Sequence, residues 1–381
     1  MEQQKIRVLI VDDSSFMRNI LTRIIERSDK LEVVGKAVNG KEGIEMAAAL
    51  NPDVITMDIE MPEMNGLQAL QYIMLNKPKP VVMISSLTES GAEATMKALS
   101  LGAVDFIPKA LNDADNAIFR NAEGIHERLI AAARVPVQAL RNSRGDTSVP
   151  VQAVSQPTAP TTSRPAVPSP TDNAPARQEH KPVTTQIRPK LDRAKLLFIG
   201  SSTGGPRALQ DVLAAFPATL RVPVIIVQHM PANFTGPMAS RLNDLCALNV
   251  VEAKEGLLVE KGFVYVCPGG VQARIVQKEA GLAFKITPDE GESVFKPSVD
   301  VMGESVAQVF GGDVVAAMLT GMGHDGAIAF KKLRDLGGYI LAQDQATSVV
   351  YGMPKAVEQN GAANEILPLS EIGSAAVKIL Q

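Results

Sequence analysis

Along the first third of the chain, short apolar runs alternate with stretches whose apolar residues recur every three or four positions. The runs lie at 8–11, 33–37, 54–57, 81–84 and 105–107, and the helical period occupies 16–27, 40–50, 66–75 and 92–101. A fifth helix can be drawn through 114–134. Continuous apolar strands separated by amphipathic helices predict a parallel sheet covered on both faces. After about Arg134 the period disappears, and Pro, Ala, Ser, Thr and Gln dominate as far as Pro189. Such a stretch cannot bury enough apolar surface to order itself, so it reads as a linker, with His180 solvated inside it.

Beyond the linker the alternation returns. Strand-like runs fall at 196–200, 224–228, 250–253, 263–266, 274–276, 282–286, 314–319 and 339–342. Helical patterns fall at 206–215, 236–247, 299–310, 325–336 and 369–380. The expectation is a second α/β domain, doubly wound and mostly parallel, with a hairpin-like insertion in its middle. The predicted division is 1–130, linker 131–190 and 191–381.

Composition adds bounds. At 381 residues the chain exceeds one ordinary core. A net charge of −3 with no long Lys/Arg run argues against nucleic-acid or membrane attachment, and no basic recognition helix follows the linker. Cys246 and Cys267 fit neither a metal spacing nor a disulfide framework and read as small buried hydrophobes of a reduced cytoplasmic protein. The N-terminus lacks a signal-peptide h-region, and no apolar run could span a bilayer.

In an open parallel sheet, functional groups collect beyond the carboxyl ends of the strands. The first strand delivers Asp12 and Asp13, the third Asp58, the fourth Ser85 and Ser86, and the fifth Lys109. Three carboxylates converging on one crevice repel one another unless a divalent cation joins them, and oxygen ligands suit Mg²⁺. With a lysine and a hydroxyl alongside, such a site could neutralise a transferred phosphoryl group.

In the second half, the strand 196–200 runs into Gly200-Ser201-Ser202-Thr203-Gly204-Gly205-Pro206. Small residues on either side allow a sharp turn that lifts Ser202 to the sheet edge, with helix N-terminal amides aimed at any oxyanion formed there. A glycine-rich anion loop is the rival, but the G-K-[ST] ending of phosphate loops is absent. A serine needs a base. His229 follows a strand at the same edge as Ser202, and Asp325 can orient its imidazole. The glycines around Met322 let its backbone approach as a second oxyanion donor. His324 reads as a variable loop position near substrate. Thr203 either bonds near the nucleophile or caps the helix. Asp300 rivals Asp325 but better suits a helix start, where the dipole favours a carboxylate. The order Ser…His…Asp differs from that of α/β-hydrolases.

Residues 5–130, through VDDSSFMR, MDIEMPEMNG, MISS and FIPK, resemble a response-regulator receiver domain, of flavodoxin-like fold with five parallel strands. Residues 193–381, through IGSSTGGP, QHMP, KPSVDVM, LTGMGHDGA and VVYGMPKAV, resemble the catalytic domain of the CheB methylesterase family. The resemblance implies Asp58 as phosphoacceptor, Asp12 and Asp13 with it as Mg²⁺ holders, Ser85 as switch hydroxyl and Lys109 as phosphate contact. Proline precedes Lys109 here, where receivers usually place it after. It further implies Ser202 as nucleophile, His229 as base, Asp325 as its partner and Met322 as oxyanion amide, with no cofactor for the esterase step. The implied reaction is hydrolysis of glutamate γ-methyl esters, with deamidation of glutamines, on chemoreceptors. A histidine kinase would supply the phosphoryl group, and the unphosphorylated receiver would cover the catalytic cleft. A receiver joined to a module that only binds receptors is the non-enzymatic alternative, as is an unrelated esterase among enzymes.

Overall fold

The computed structural model describes residues 4–109, 122–135, 194–288, 291 and 293–381. Residues 136–190 of the expected linker and 114–121 of the expected fifth helix lie outside the described residues, and residues 131–133, expected to open the linker, still belong to that helix.

In the N-terminal domain, β1 (Ile6–Val11), β2 (Leu31–Ala37), β3 (Val54–Asp58), β4 (Val81–Ser86) and β5 (Asp105–Lys109) form a parallel sheet in the order β2-β1-β3-β4-β5. Helices α1 (Ser15–Ile25), α2 (Gly40–Leu50), α3 (Gly66–Asn76), α4 (Glu89–Ser100) and α5 (Ala122–Ala133) surround it. The local chemistry of the starts is plain. Ser14, Asn39, Asn65 and Thr88 each accept a hydrogen bond from an amide of the first turn that follows. β3 is buried throughout, as a strand covered on both faces must be. Strand order reverses between β1 and β3, the place where such sheets open a crevice.

The C-terminal domain has a seven-stranded sheet, parallel at every pairing, in the order β14-β13-β12-β6-β7-β9-β8. Its strands are β6 (Leu196–Ser201), β7 (Val224–Gln228), β8 (Asn249–Glu252), β9 (Phe263–Val266), β12 (Val314–Met318), β13 (Tyr339–Gln343) and β14 (Glu365–Leu367). The expected insertion is the antiparallel pair β10 (Gln272–Lys278) and β11 (Gly281–Thr287). Helices α6 (Gly205–Leu213), α7 (Ala232–Asn243), α8 (Val299–Phe310), α9 (Ala327–Asp335), α10 (Met353–Gln359) and α11 (Leu369–Leu380) cover the sheet. Alternate residues of β6 enter opposite cores: Leu197 and Ile199 face one layer, Leu196 and Phe198 the other. Here the switch point falls between β6 and β12.

Two helix starts near the site differ from the sequence reading, and two short elements escape it. Helix α7 begins at Ala232 and carries Pro237 inside it, whereas the helical pattern in the sequence begins at 236. Pro231 takes the cap instead, so the helix starts one turn earlier. Helix α9 begins at Ala327, which leaves Asp325 in the preceding loop. The short β14 and α10 carry too little period to be read from sequence.

Candidate active site

At the first sheet's switch point, Asp12, Asp13 and Asp58 bring ligand oxygens within 4.8 Å of one another. Lys109 Nζ donates to Asp58 Oδ2 at 2.6 Å and lies 3.4 Å from Asp12 Oδ2. Asp12 Oδ1 accepts the Ser14 amide, but its Oδ2 is buried and receives no hydrogen bond among the described residues. Burial pushes the Asp12 and Asp58 carboxyls up from their ordinary range, and Lys109 only partly offsets it. Burial works against the Lys109 charge, yet Asp58 and Asp12 outweigh it and raise its pKa. A hard oxygen set with an unsatisfied buried oxygen fits Mg²⁺. The cavity beside it, about 250 Å³, is lined by Asp13, Asp58, Glu60, Ser86 and Lys109. Ser85 points elsewhere: it is fully buried, accepts from the Thr95 hydroxyl at 2.6 Å and donates to the Gly91 carbonyl at 3.1 Å.

Ser202 follows β6 at the second switch point, and the loop that follows β12 faces it. Gly204 holds the turn at φ 79°, a conformation that favours glycine. A side chain at Gly321 would come within 3.0 Å of the Ser202 amide nitrogen, so its absence lets the two loops touch. Gln228, at the end of β7, donates to the Ser202 carbonyl at 2.9 Å and accepts from the Ser201 hydroxyl at 2.7 Å. The Ser202 hydroxyl itself makes no hydrogen bond among the described residues, and the residue is 8% exposed.

His229 sits one residue beyond β7. Its Nε2 meets Asp325 Oδ2 at 2.7 Å, and its Nδ1 is buried without a partner among the described residues. Asp325 is held from behind by the Ser298 hydroxyl at 2.8 Å and the Val299 amide at 2.6 Å. Burial opposes its charge, but the His229 bond and these donors outweigh it and keep the carboxyl below its ordinary range. Asp300 lies in the first turn of α8, where it was expected to begin a helix, and its carboxylate accepts the Ala329 amide at 2.8 Å. Met322 is half-buried and His324 exposed on the loop between β12 and α9. Cys267 is buried and Cys246 half-buried, and burial pushes both thiols up.

Thr203 is not a cap, because the N-cap of α6 is Gly204. Its hydroxyl donates to Asp105 Oδ2, on β5 of the other domain, at 3.0 Å. Asp105 also pairs with Arg128 at 2.7 Å. Around this link, Phe106 stacks on Phe234 with centroids 4.5 Å apart, and Asn233 donates to the Leu87 carbonyl. Gln228 and Ser298 lie inside the QHMP and KPSVDVM motifs but take no role from sequence, and Asp105 reads only as part of a strand, because nothing local says what a Gln, Ser or Asp side chain will meet.

Two family models match the chain: CheB methylesterase over residues 197–376 and response regulator receiver domain over residues 8–117. The chain is 42% identical to the protein-glutamate methylesterase/protein-glutamine glutaminase of Shewanella frigidimarina, over 98% of each chain. It is 41% identical to protein-glutamate methylesterase/protein-glutamine glutaminase 1 of Vibrio cholerae, over 96% of this chain and 97% of that one. Among solved structures, the Thermotoga maritima CheB methylesterase catalytic domain is 35% identical over 49% of this chain and 99% of that one, with a TM-score of 0.48. A full-length likeness at this identity, with both domain models matched in order, means that the chain belongs to the CheB methylesterase family.

Proposed function

We propose that this chain hydrolyses glutamate γ-methyl esters on methyl-accepting chemoreceptors, and deamidates selected glutamines there, through Ser202, His229 and Asp325. The 2.7 Å His229–Asp325 pair carries the reading. It commits Nε2 to the carboxylate and leaves a buried, unpartnered Nδ1 as the one ring nitrogen able to take a proton. Ser202, at the same sheet edge as His229, supplies the hydroxyl. Ser202 Oγ attacks the ester carbonyl while its proton passes to His229. The Met322 amide, with the amides that open α6, stabilises the oxyanion. The imidazolium returns the proton to the departing methoxide, releasing methanol; with a glutamine side chain the leaving group is ammonia. Water, deprotonated by His229, hydrolyses the glutamyl-Ser202 ester. Asp325 stays ionised throughout and supports the imidazolium.

Control belongs to residues 1–130, with 131–190 as linker and 191–381 as the catalytic unit. Asp58 accepts a phosphoryl group from a histidine kinase. Asp12, Asp13 and Asp58 would hold the Mg²⁺, which neutralises charge on that group, while Lys109 contacts it and the Ser85 hydroxyl reorients toward it. Docked, the receiver takes up the Thr203 hydroxyl beside the nucleophile and covers the cleft; phosphorylation releases it. No described helix is long and apolar enough to cross a membrane, and the reading puts the reaction in the cytoplasm, on receptor helices. The test is methanol release from methylated receptor membranes with a small phosphodonor present. Ser202→Ala should abolish it, and retention of the wild-type rate would sink the assignment.

A further inference from the structure

The segment that follows β11 bears on both His229 and Asp325. The Phe295 ring lies face to face with the His229 imidazole, centroids 4.2 Å apart and planes within 5°. Three residues later, Ser298 and Val299 donate to Asp325. Gln272, 1% exposed, staples the segment at both ends: its Nε2 donates to the Phe295 carbonyl at 2.8 Å, and its Oε1 accepts the Ser298 amide at 3.0 Å. The Lys296 carbonyl also accepts the Gly270 amide. Phe295 is therefore mounted on the same rigid piece that holds the carboxylate, although it makes no polar contact with the site through its ring.

We infer that Phe295 is the positioning residue for His229. This rests on the reading of Ser202, His229 and Asp325 given above and adds a fourth member to it. One hydrogen bond at Nε2 leaves the imidazole free to tilt about that bond, and a tilt carries Nδ1 away from the serine. A parallel ring 4.2 Å away blocks the tilt. The face of a phenyl ring also attracts a cation, so the imidazolium that forms as Ser202 loses its proton is favoured in place. Among the described residues, the titratable groups on the segments that meet this ring are Asp325 on Nε2 and Asp300, whose amide donates to Asp325, with Lys296 and His324 exposed on the neighbouring loops; Asp105 lies on the far side of Thr203.

The test uses the full chain, phosphodonor and methylated receptor membranes, with kcat, KM and the pH profile of methanol release measured for Phe295→Leu and Phe295→Trp. Leucine keeps the apolar cover but lacks the π face. Its kcat should fall about tenfold with KM within about twofold. Because the neutral imidazole is the active base, losing support for the cation moves the acid limb to lower pH. Tryptophan should restore both the rate and the limb. A leucine variant with wild-type kcat and an unmoved limb overturns the inference. So does a rate loss that tracks a fall in melting temperature, with no movement of the limb and no rescue by tryptophan. His229→Gln separates the two readings: if it retains activity, the triad fails; if it is dead while Phe295→Leu is unaffected, only the present inference fails.

Discussion

The Thr203 hydroxyl donates a 3.0 Å hydrogen bond to Asp105 Oδ2, joining the residue beside the proposed nucleophile, Ser202, to a residue 98 positions earlier in the other domain. Both groups are buried, at 3% and 5% exposure, so the bond is part of a sealed contact. Asp105→Ala removes this one bond between the domains, about 1 kcal/mol against docking; within the receiver it also removes the acceptor of the Phe106 amide and one of the two Arg128 partners, the Phe106 carbonyl remaining. Methanol release without phosphodonor should rise roughly fivefold, and the fully phosphorylated rate should stay unchanged. An unaltered basal rate would show that this bond does not hold the closed form.

Asp325→Asn tests the proposed third member of the triad. One amide oxygen can still accept from Ser298 or Val299, so the fold should persist, as a melting curve will report. The imidazole, however, loses its ionised partner and can take the wrong tautomer. A fall in kcat of about 10³-fold or more is expected, by analogy with the loss seen when a triad aspartate becomes asparagine.

The same carboxylate predicts a pH effect on stability. Its folded pKa lies below the unfolded value because His229 and the amides at the start of α8 favour its charge despite burial. Its contribution is thus complete above the ordinary aspartate range, about pH 4, and is lost as pH falls through the lower folded value. Acid titration of unfolding free energy should be flatter below about pH 4 in Asp325→Asn than in the parent.

In the receiver the sign is opposite. Burial raises Asp12 and Asp58, so both charges destabilise the fold at neutral pH when no cation joins them. Asp12→Asn should raise the melting temperature in metal-free buffer by several degrees, equivalent to about 1–2 kcal/mol. Mg²⁺ should stabilise the parent but not the variant, and labelling of the variant by a small phosphodonor should be strongly reduced.

Gly321→Ala probes the contact between loops. The added carbon would lie 2.4 Å from the Met353 sulfur, which can move, but also 2.9 Å from Ser202 Cβ and 3.0 Å from its amide nitrogen, which cannot. A decrease in kcat of about tenfold or more, with melting shifted by only a few degrees, is the expected outcome. Wild-type kinetics would show that the turn tolerates displacement.

Strand and helix placement was legible because buried parallel strands read as unbroken apolar runs, and because each acid, serine or histidine of interest stood directly after one. β3 ending in Asp58, β6 running into Ser202 and β7 into His229 are local facts of order and spacing. Helix ends were less legible: Pro237 locally disfavours a helix running through it, yet α7 starts earlier, at Ala232, with Phe234 and Met238 packed in the core.

The sequence by itself determined which groups reach the carboxyl edges of the two sheets, since alternation, caps and turns are local consequences of residue type. Tertiary structure alone decided which nitrogen of His229 meets Asp325, that Phe295 lies against the His229 ring, that Ser85 faces Thr95, and that Asp105 takes the Thr203 hydroxyl. Those contacts join segments from 10 to 98 residues apart, where strand order, loop reach and domain docking set the distance and no local preference exists to record it.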